Sequence, residues 1–262
     1  MTEKNFSEMP TLQWFPGHMK KAERLIRENL KSVDVAVELL DARIPVSSQN
    51  PMLKEILGDK PRVTVLTKSD LANDAATSNW IKKLAESKTH KLAKYGAKPR
   101  SARAMVIGIP NVGKSSLINK LAGMNHTKIE NRPGVTRAKQ WIKIADGLDL
   151  LDTPGILWPK FEDKEVALKL AWSFAINDET YDLETSVKIL LETLAKKNPA
   201  GLIARYKLDE INSADGNELL QQIGMKRGCI RQGGILDEEK AIRMILSEFR
   251  SGKLGKITLD DF

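Results

Sequence analysis

The residues best suited to do chemistry lie in the segment Gly108-Ile-Pro-Asn-Val-Gly-Lys-Ser115, which has the spacing of a phosphate-binding P-loop. An apolar stretch typical of a buried strand precedes it and a stretch with helical spacing follows it, as the motif requires. Backbone N–H groups of such a loop can surround phosphates at a helix N-terminus. Lys114 would supply a cation to the β- and γ-phosphates, and Ser115 would offer a hydroxyl to Mg²⁺. The alternative, a plain glycine-rich turn, fits this strand–loop–helix context poorly.

A second group of candidate phosphate and metal ligands lies downstream of the P-loop. Asp152-Thr-Pro-Gly155 ends an apolar strand, where an acid can hold Mg²⁺ through water and the Gly155 N–H can meet the γ-phosphate. Taken alone, the Pro-Gly pair also fits an ordinary turn. The intervening segment Arg132–Arg137 is rich in turn residues, as a mobile switch would be, and it contains Thr136 as a natural second metal ligand. The sequence therefore predicts a magnesium site formed by Ser115, Thr136 and Asp152.

The tetrapeptide Thr67-Lys-Ser-Asp70 follows another apolar strand and resembles the guanine-reading motif Asn-Lys-x-Asp. In that motif the carboxylate accepts hydrogen bonds from N1 and N2 of guanine, a donor pair that adenine lacks. Thr67 in place of Asn costs some base contact but leaves the discriminating group, Asp70, intact. An isolated tetrapeptide at a strand end fits a plain loop equally well, so its weight comes from the other motifs. Asp70 disfavours the alternative of a P-loop ATPase.

The order of these motifs along the chain is unusual. The base-reading motif precedes the P-loop, whereas ordinary GTPases place it afterwards. A circular permutation of this kind preserves the pocket while it moves the chain termini. It also makes the segment after Gly155 continue directly into the C-terminal part of the chain, which could transmit the nucleotide state. We predict that the nucleotide contacts come from both halves of the permuted motif set: Thr67, Lys68, Asp70, Asn111, Val112, Gly113, Lys114, Ser115, Ser116 and Gly155.

The elements that must position these motifs follow from hydrophobic periodicity. Strands alternate with helices up to about residue 162, which indicates a mostly parallel sheet, and Asp146-Gly147 between two apolar runs predicts one antiparallel hairpin. From Asp163 onward the patterns are helical until a strand-like tail at Lys256–Leu259. We therefore expect an α/β fold: a three-layer, circularly permuted P-loop GTPase domain with an N-terminal basic helix over residues 1–162, and a small all-helical domain over residues 163–262.

Composition restricts the setting in which the protein works. The single cysteine, Cys229, excludes an intramolecular disulfide, and no apolar run is long enough to span a bilayer, so we expect a cytoplasmic protein without a membrane partner. Lys and Arg number 42 against 34 for Asp and Glu, a net charge of +8. This surplus favours polyanionic partners such as RNA, although a merely solvated basic surface explains it equally well.

Several further segments make the resemblance to a known family specific. These segments are Trp14–Met19, Asp41–Pro45, Asp152–Trp158, Lys226–Cys229 and Gly233-Gly234. Together with the permuted motif order, they resemble the ribosome biogenesis GTPase A family, and the resemblance covers nearly the whole chain. The resemblance implies a cytoplasmic bacterial GTPase that assists late maturation of the large ribosomal subunit. It implies GTP and GDP as ligands and contact with ribosomal RNA through the helical C-terminal domain. We expect a monomer. The alternative is a nucleotide-gated RNA-binding scaffold in which hydrolysis only drives release.

The catalytic machinery departs from that of Ras-like enzymes. Ile156 occupies the position at which those enzymes use a glutamine to orient the attacking water, and an apolar side chain cannot do so. Resemblance to GTPases with such a hydrophobic replacement suggests two substitutes, His18 as the catalytic residue and an activating K⁺ held partly by Asn111. The alternatives are that His18 serves packing or RNA contact and that Asn111 only braces the loop. Asp41 and Arg43 fit a salt bridge at a strand end and are given no role.

The segment between Asp70 and Gly108 is shorter than the family pattern requires. Its 37 residues are too few for the helix, strand, guanine-closing loop and second helix that the family places there. Ser101-Ala-Arg103 resembles the guanine-closing loop but directly adjoins the P-loop strand, so we do not assign it that role. We expect one strand to be missing because the protein has a segment near residues 87–94 that its 262-residue sequence omits, which an intact mass matching 29.2 kDa would contradict.

Overall fold

The computed structural model describes residues 17–86, 102–123, 140–145, 148–211 and 214–262. Within them, the amino-terminal two thirds of the secondary structure alternates as the sequence predicts. The elements in chain order are α1 (Gly17–Leu30), β1 (Val35–Asp41), α2 (Pro51–Leu57), β2 (Arg62–Thr67), α3 (Asp74–Glu86), β3 (Ala102–Gly108), α4 (Lys114–Ala122), β4 (Gln140–Ala145), β5 (Leu148–Asp152), α5 (Lys164–Trp172), α6 (Leu183–Lys197), α7 (Pro199–Tyr206), α8 (Gly216–Lys226) and α9 (Glu238–Arg250).

The described strands form one sheet in the order β2-β1-β3-β5-β4. All neighbouring pairs are parallel except β4 with β5, which confirms the predicted antiparallel hairpin at one edge. The strand that carries the base-reading motif lies two positions from the P-loop strand, although it comes earlier in the chain. The permuted order is therefore compatible with a GTPase-like pocket.

Side chains of the central strand β3 alternate between two hydrophobic clusters. Ala104 and Val106 belong to the larger cluster, whereas Met105 and Ile107 belong to the smaller one, because successive side chains of a strand point to opposite faces. Helices α1 and α2 supply half of the smaller cluster, while α4 and the helices from α5 onward supply most of the larger one. This arrangement confirms the three-layer α/β architecture.

The carboxy-terminal helices confirm the predicted helical patterns, and each of the five, α5 to α9, follows a capping residue. Asn or Asp side chains accept hydrogen bonds from backbone N–H groups of the first turn in α5, α6, α7, α8 and α9. Each such cap stabilises a helix by about 1 kcal/mol. The strand-like tail, in contrast, is a wrong prediction. Residues 256–259 join no sheet, and the N–H groups of Ile257 and Leu259 donate singly to two separate loops.

Candidate nucleotide-binding site

Four strand ends meet at one edge of the sheet. In the parallel ladders Asp41 is paired with Thr67, Leu39 with Gly108, and Val106 with Asp152. Because parallel strands end at the same edge, the base-reading motif, the P-loop and Asp152 all follow strands that run to this edge. Open α/β sheets bind their ligands at such carboxyl ends.

The hydroxyl of Thr67 links the base-reading strand to the P-loop. It donates to the carbonyl oxygen of Val112 at 2.6 Å and lies 3.0 Å from that of Leu40. The bond to Val112 fixes the strand end against the phosphate loop. Thr67 therefore connects the base-reading motif to the P-loop, although it loses some of the base contact that asparagine would make.

Lys68 is held by a buried carboxylate. Its ammonium nitrogen lies 3.0 Å from Oδ2 of Asp41, and Arg43 binds both oxygens of the same carboxylate, through Nη2 at 2.8 Å and Nε at 3.0 Å. Burial alone would raise the pKa of Asp41, but Lys68 and Arg43 hold it well below its ordinary value. The Arg43 guanidinium in turn lies over the ring of Phe249 in α9. The Asp41–Arg43 salt bridge that the sequence allowed is therefore present, and it anchors the lysine of the base-reading motif.

Asp70 lies in a 3₁₀ turn, Ser69–Leu71, directly after this anchored lysine. Its side chain is exposed, so the carboxylate is open to a ligand at the strand edge. Lys68 adopts the left-handed conformation with φ 55°, which turns the backbone sharply between the strand and the 3₁₀ turn.

Lys114 is buried at the start of α4. Its Nζ donates to the carbonyl oxygen of Ile109 at 2.7 Å and lies 3.3 Å from that of Gly108. Burial lowers the pKa of the ammonium group to about 8, against the opposing attraction of Asp152, and the positive charge of Lys68 adds to the lowering. A phosphate that reached this ammonium would stabilise its charged form. Ser116, in the same first turn of α4, is exposed.

Asp152 faces the P-loop from the end of β5. Its Oδ2 lies 3.5 Å from the hydroxyl oxygen of Ser115, while its buried Oδ1 has no hydrogen-bond partner among the described residues. Burial raises the pKa of this carboxyl group, although Lys114 opposes the change. A buried acceptor without a partner is costly in a folded protein. Ser115 and Asp152 therefore offer oxygen ligands to a cation, and a bound cation would give the buried Oδ1 of Asp152 a partner.

The segment after Asp152 lies tightly against the P-loop. A Cβ added to Gly155 would come within 2.6 Å of the Pro110 backbone and 2.9 Å of Lys114 Nζ, so only glycine fits there. The N–H of Ile156 donates to the carbonyl oxygen of Gly108 at 3.2 Å. The Ile156 side chain is fully buried in the same cluster as Met19 of α1. It therefore points into the core rather than towards a site for water.

For two predicted residues the structure describes no side chain. Thr136 belongs to the undescribed range 124–139, and the side chain of His18 is not described, although α1 begins at Gly17 and Met19 is buried. The other candidates, from Thr67 to Gly155, lie at the ends of β2 and β5, in the loops after β2, β3 and β5, or in the first turn of α4.

One contact of the P-loop was not predicted from the sequence. Asn111, which has φ 53°, donates from Nδ2 to the carbonyl oxygen of Phe174 at 2.7 Å, and Phe174 also has a positive φ. Arg250 of α9 holds this turn: it donates to the carbonyls of Ala171 and Trp172, pairs with Asp178 and covers the Phe174 ring. The P-loop is thus connected to the last helix. No local pattern could reveal a contact between residues so far apart in sequence.

Comparison with known proteins agrees with this geometry. Residues 103–204 match the family model described as 50S ribosome-binding GTPase. Ribosome biogenesis GTPase A of Bacillus cereus is 46% identical, with 95% of this chain and 93% of the relative covered. GDP-bound YlqF is 27% identical with a TM-score of 0.68, covering 90% of this chain and 98% of that one. GNP-bound YlqF from T. maritima is 26% identical with a TM-score of 0.67, covering 92% and 97%.

The comparisons also bear on the short segment after the base-reading motif. The alignment with the B. cereus relative extends over 277 positions, more than the 262 residues of this chain. The relative therefore has residues that this chain lacks. Residues 87–101, which connect α3 to β3, lie outside the described part. That the sequence omits a segment near residues 87–94 remains a prediction.

Proposed function

The chain belongs to the ribosome biogenesis GTPase A family, and from that premise we propose that it acts on the large ribosomal subunit as a GTP-hydrolysing assembly factor. The observation that carries the proposal is the meeting of Asp70, Lys114 and Asp152 at one sheet edge, after strands that the sequence presents in permuted order. Hydrolysis converts GTP to GDP and phosphate and gives the factor two nucleotide states. In the described residues, no helix is long and apolar enough to cross a membrane.

We assign the nucleotide contacts as follows. Asp70 accepts from guanine, Lys68 and Thr67 position it, and Lys114 binds the β- and γ-phosphates together with the P-loop N–H groups. Gly155 contributes its N–H to the γ-phosphate side. The P-loop residues in this set are Asn111, Val112, Gly113, Lys114, Ser115 and Ser116. Residues 1–162 form the nucleotide-binding domain in this proposal, and residues 163–262 form the domain that contacts ribosomal RNA. The protein works as a monomer in the cytoplasm.

Mg²⁺ suits the residues present. Asp152 offers a buried oxygen without a partner next to the Ser115 hydroxyl, and oxygen ligands are those that Mg²⁺ prefers. In the described residues no group of three His, Cys, Asp or Glu side chains could form a metal site by itself. The donor set of Ser115, Thr136 and Asp152 therefore fits an ion bound largely through phosphates and water. When bound, the ion would neutralise charge that develops on the phosphates.

We propose His18 as the catalytic residue that replaces the missing glutamine. Ile156 is turned into the core, so the polar group must come from elsewhere. Burial of Met19 in the cluster that contains Ile156 supports a position of the α1 start near the segment after Asp152. K⁺ is the second proposed aid to hydrolysis. Asn111 already donates its amide nitrogen to Phe174, so Oδ1 would be the atom that contacts the ion.

Turnover measurements test the function as a whole. We expect GTP, but not ATP, to compete for the site, and GTP hydrolysis to rise when large ribosomal subunits are added and when K⁺ replaces Na⁺. His18→Ala should abolish the stimulated rate while GDP affinity stays unchanged. Unchanged turnover of this variant would remove His18 from the mechanism. Stoichiometric assembly supported by a non-hydrolysable analogue would instead favour the RNA-binding scaffold.

Protonation of Lys114 gives a second prediction. At pH 8 the ammonium group of the free protein is about half protonated, and bound phosphates would raise its pKa, so GDP binding is expected to take up about half a proton there. Because binding then consumes protons, GDP affinity should fall as the pH rises above 8, by up to about tenfold per unit. Calorimetry in buffers of different ionisation enthalpy measures the uptake. Lys114→Arg, which stays charged, should show none, and a wild-type value near zero would contradict the assignment.

A further inference from the structure

The chain segment that follows α9 runs across the base-reading loop. We call residues Ser251–Phe262 the C-terminal strap. Gly252, at φ 74°, lies so close to Leu71 that an added Cβ would be 2.6 Å from Leu71 Cδ2. The N–H of Ile257 donates to the Leu71 carbonyl oxygen at 3.0 Å. Leu71 directly follows Asp70, so the strap holds the residue next to the guanine reader.

Two contacts extend this attachment to the start of α3. The hydroxyl oxygen of Thr258 accepts from the N–H of Asn73 at 3.2 Å, and Lys256 pairs with Asp74 at 2.9 Å. The Lys256–Asp74 pair is exposed, which makes its contribution small. At the end of the strap, the ring of Phe262 packs edge-on against Trp80 of α3 with centroids 5.3 Å apart. The strap thus contacts the chain from Leu71, directly after the base-reading motif, to Trp80 in α3.

A buried carboxylate fixes the strap on its other side. Asp260 accepts through Oδ2 from the N–H groups of Val46 at 2.7 Å and Ser47 at 2.9 Å. Through Oδ1 it accepts from the Ser47 hydroxyl at 2.7 Å and from Lys169 of α5 at 3.0 Å. Asp260 is buried, with 8% of its surface exposed. It therefore connects the strap to the loop after β1 and to helix α5.

The neighbouring backbone bond reaches the carboxylate network of the site. The N–H of Leu259 donates to the carbonyl oxygen of Arg43 at 2.7 Å. Arg43 is the residue that shares Asp41 with Lys68. Asp70 therefore lies between two held positions, Lys68 through Asp41 on one side and Leu71 through the strap on the other. Although the Asp70 side chain is exposed, its position is restricted because the backbone before and after it is held.

We propose that the C-terminal strap is a positioning device for the guanine reader, with Asp260 as its main anchor. The proposal rests on the proposed function, because it concerns the same nucleotide site. A loosened strap lets the turn at Ser69–Leu71 move, so the Asp70 carboxylate loses alignment with the guanine edge. The phosphate half of the site, on β3 and α4, has no contact with the strap in the hydrogen bonds of the described residues. The effect should therefore be specific to the base.

The test uses Asp260→Ala in the full chain, with three ligands. GDP, inosine diphosphate, which lacks the amino group read by Asp70, and inorganic pyrophosphate separate base contact from phosphate contact. We expect GDP affinity to fall about tenfold, inosine diphosphate affinity to fall less, and pyrophosphate affinity to stay unchanged. Because GDP loses more affinity than inosine diphosphate, the preference for GDP shrinks. A coupling of this size is typical between linked sites.

Asp261→Ala is the matched control. Asp261 is the next residue of the strap and carries the same charge, but it is exposed and pairs with Lys197 of α6. The Asp261→Ala variant should retain the wild-type preference for GDP over inosine diphosphate.

If Asp260→Ala unfolds, a second variant tests the proposal. Thr258→Val removes only the acceptor for the Asn73 N–H, and it should show the same base-specific loss of affinity, about threefold. An unchanged preference in the folded variant, or equal losses for all three ligands, would overturn the proposal. A wild-type protein without any preference for guanine would instead refute the proposed function.

Discussion

Replacing Asp70 by asparagine is expected to lower GDP affinity at least about a hundredfold, because a site built to accept hydrogen bonds then presents an amide donor to the donors of guanine. The same change should create affinity for xanthosine diphosphate. Xanthine has a carbonyl oxygen where guanine has its 2-amino group, and the new amide N–H can donate to it. Competition between labelled GDP and unlabelled xanthosine diphosphate measures both effects.

The matched control for this exchange is Asp59→Asn. Asp59 is an exposed aspartate in the connection between α2 and β2, outside the base-reading loop, so the variant carries the same charge change without the same contact. Its nucleotide preference should equal that of the wild type. A fall in GDP affinity without any gain for xanthosine diphosphate would mean that Asp70 supports the loop but does not read the base.

The P-loop strand and helix were the most predictable part of the site. Apolar residues Ala104–Ile109, a glycine-rich turn and an apolar helical pattern after Lys114 agree on one local structure, so the sequence predicts β3 and α4 nearly to their observed bounds. The position of the base-reading motif follows from the same logic, because parallel strands end at one edge. What local patterns cannot predict is the bond between Thr67 and Val112, since it depends on the sheet order.

The strap shows how a correct pattern can lead to a wrong element. Lys256-Ile-Thr-Leu alternates polar and apolar residues, and the alternation does place Ile257 and Leu259 in the core. A strand also needs a neighbouring strand, and the backbone here bonds once to Leu71 and once to Arg43, on different loops. The alternation of polar and apolar residues therefore predicted which side chains are buried, but it could not predict which parts of the protein pack against them.

Strand β2 lies at the edge of the described sheet, and the segment that follows it is short. Among the described strands β2 pairs only with β1, and Val63 is half exposed. The family resemblance predicts another strand in the segment between Asp70 and Gly108, whose 37 residues are too few for it by that prediction. Chain length alone suggested this from the sequence, because a crossover between parallel strands needs a dozen or more residues. The strap, which contacts the turn after β2, gains importance for the guanine reader if that strand is missing.

Removal of the Asp41 carboxylate is expected to reduce the free energy of unfolding by about 3 to 5 kcal/mol, because Asp41→Ala leaves Arg43 buried without its counter-charge. Equilibrium denaturation measures the loss. The pKa of Asp41 is lower in the folded protein than in the unfolded chain, so its contribution is present above about pH 4 and is lost as the pH falls below that. The difference between wild type and variant should therefore narrow in acid.

A second substitution separates an uncompensated charge from a simple loss of packing. Adding Arg43→Met to Asp41→Ala should restore much of the stability, because the buried cation is then removed as well. Asp74→Ala, which breaks the exposed pair with Lys256, should cost less than about 1 kcal/mol and serves as the surface control. Equal stabilities of the single and double variants would contradict the electrostatic account. Since Lys68 shares the same carboxylate, a destabilised Asp41→Ala that keeps full GDP affinity would also show that the lysine needs no anchor to support the base-reading turn.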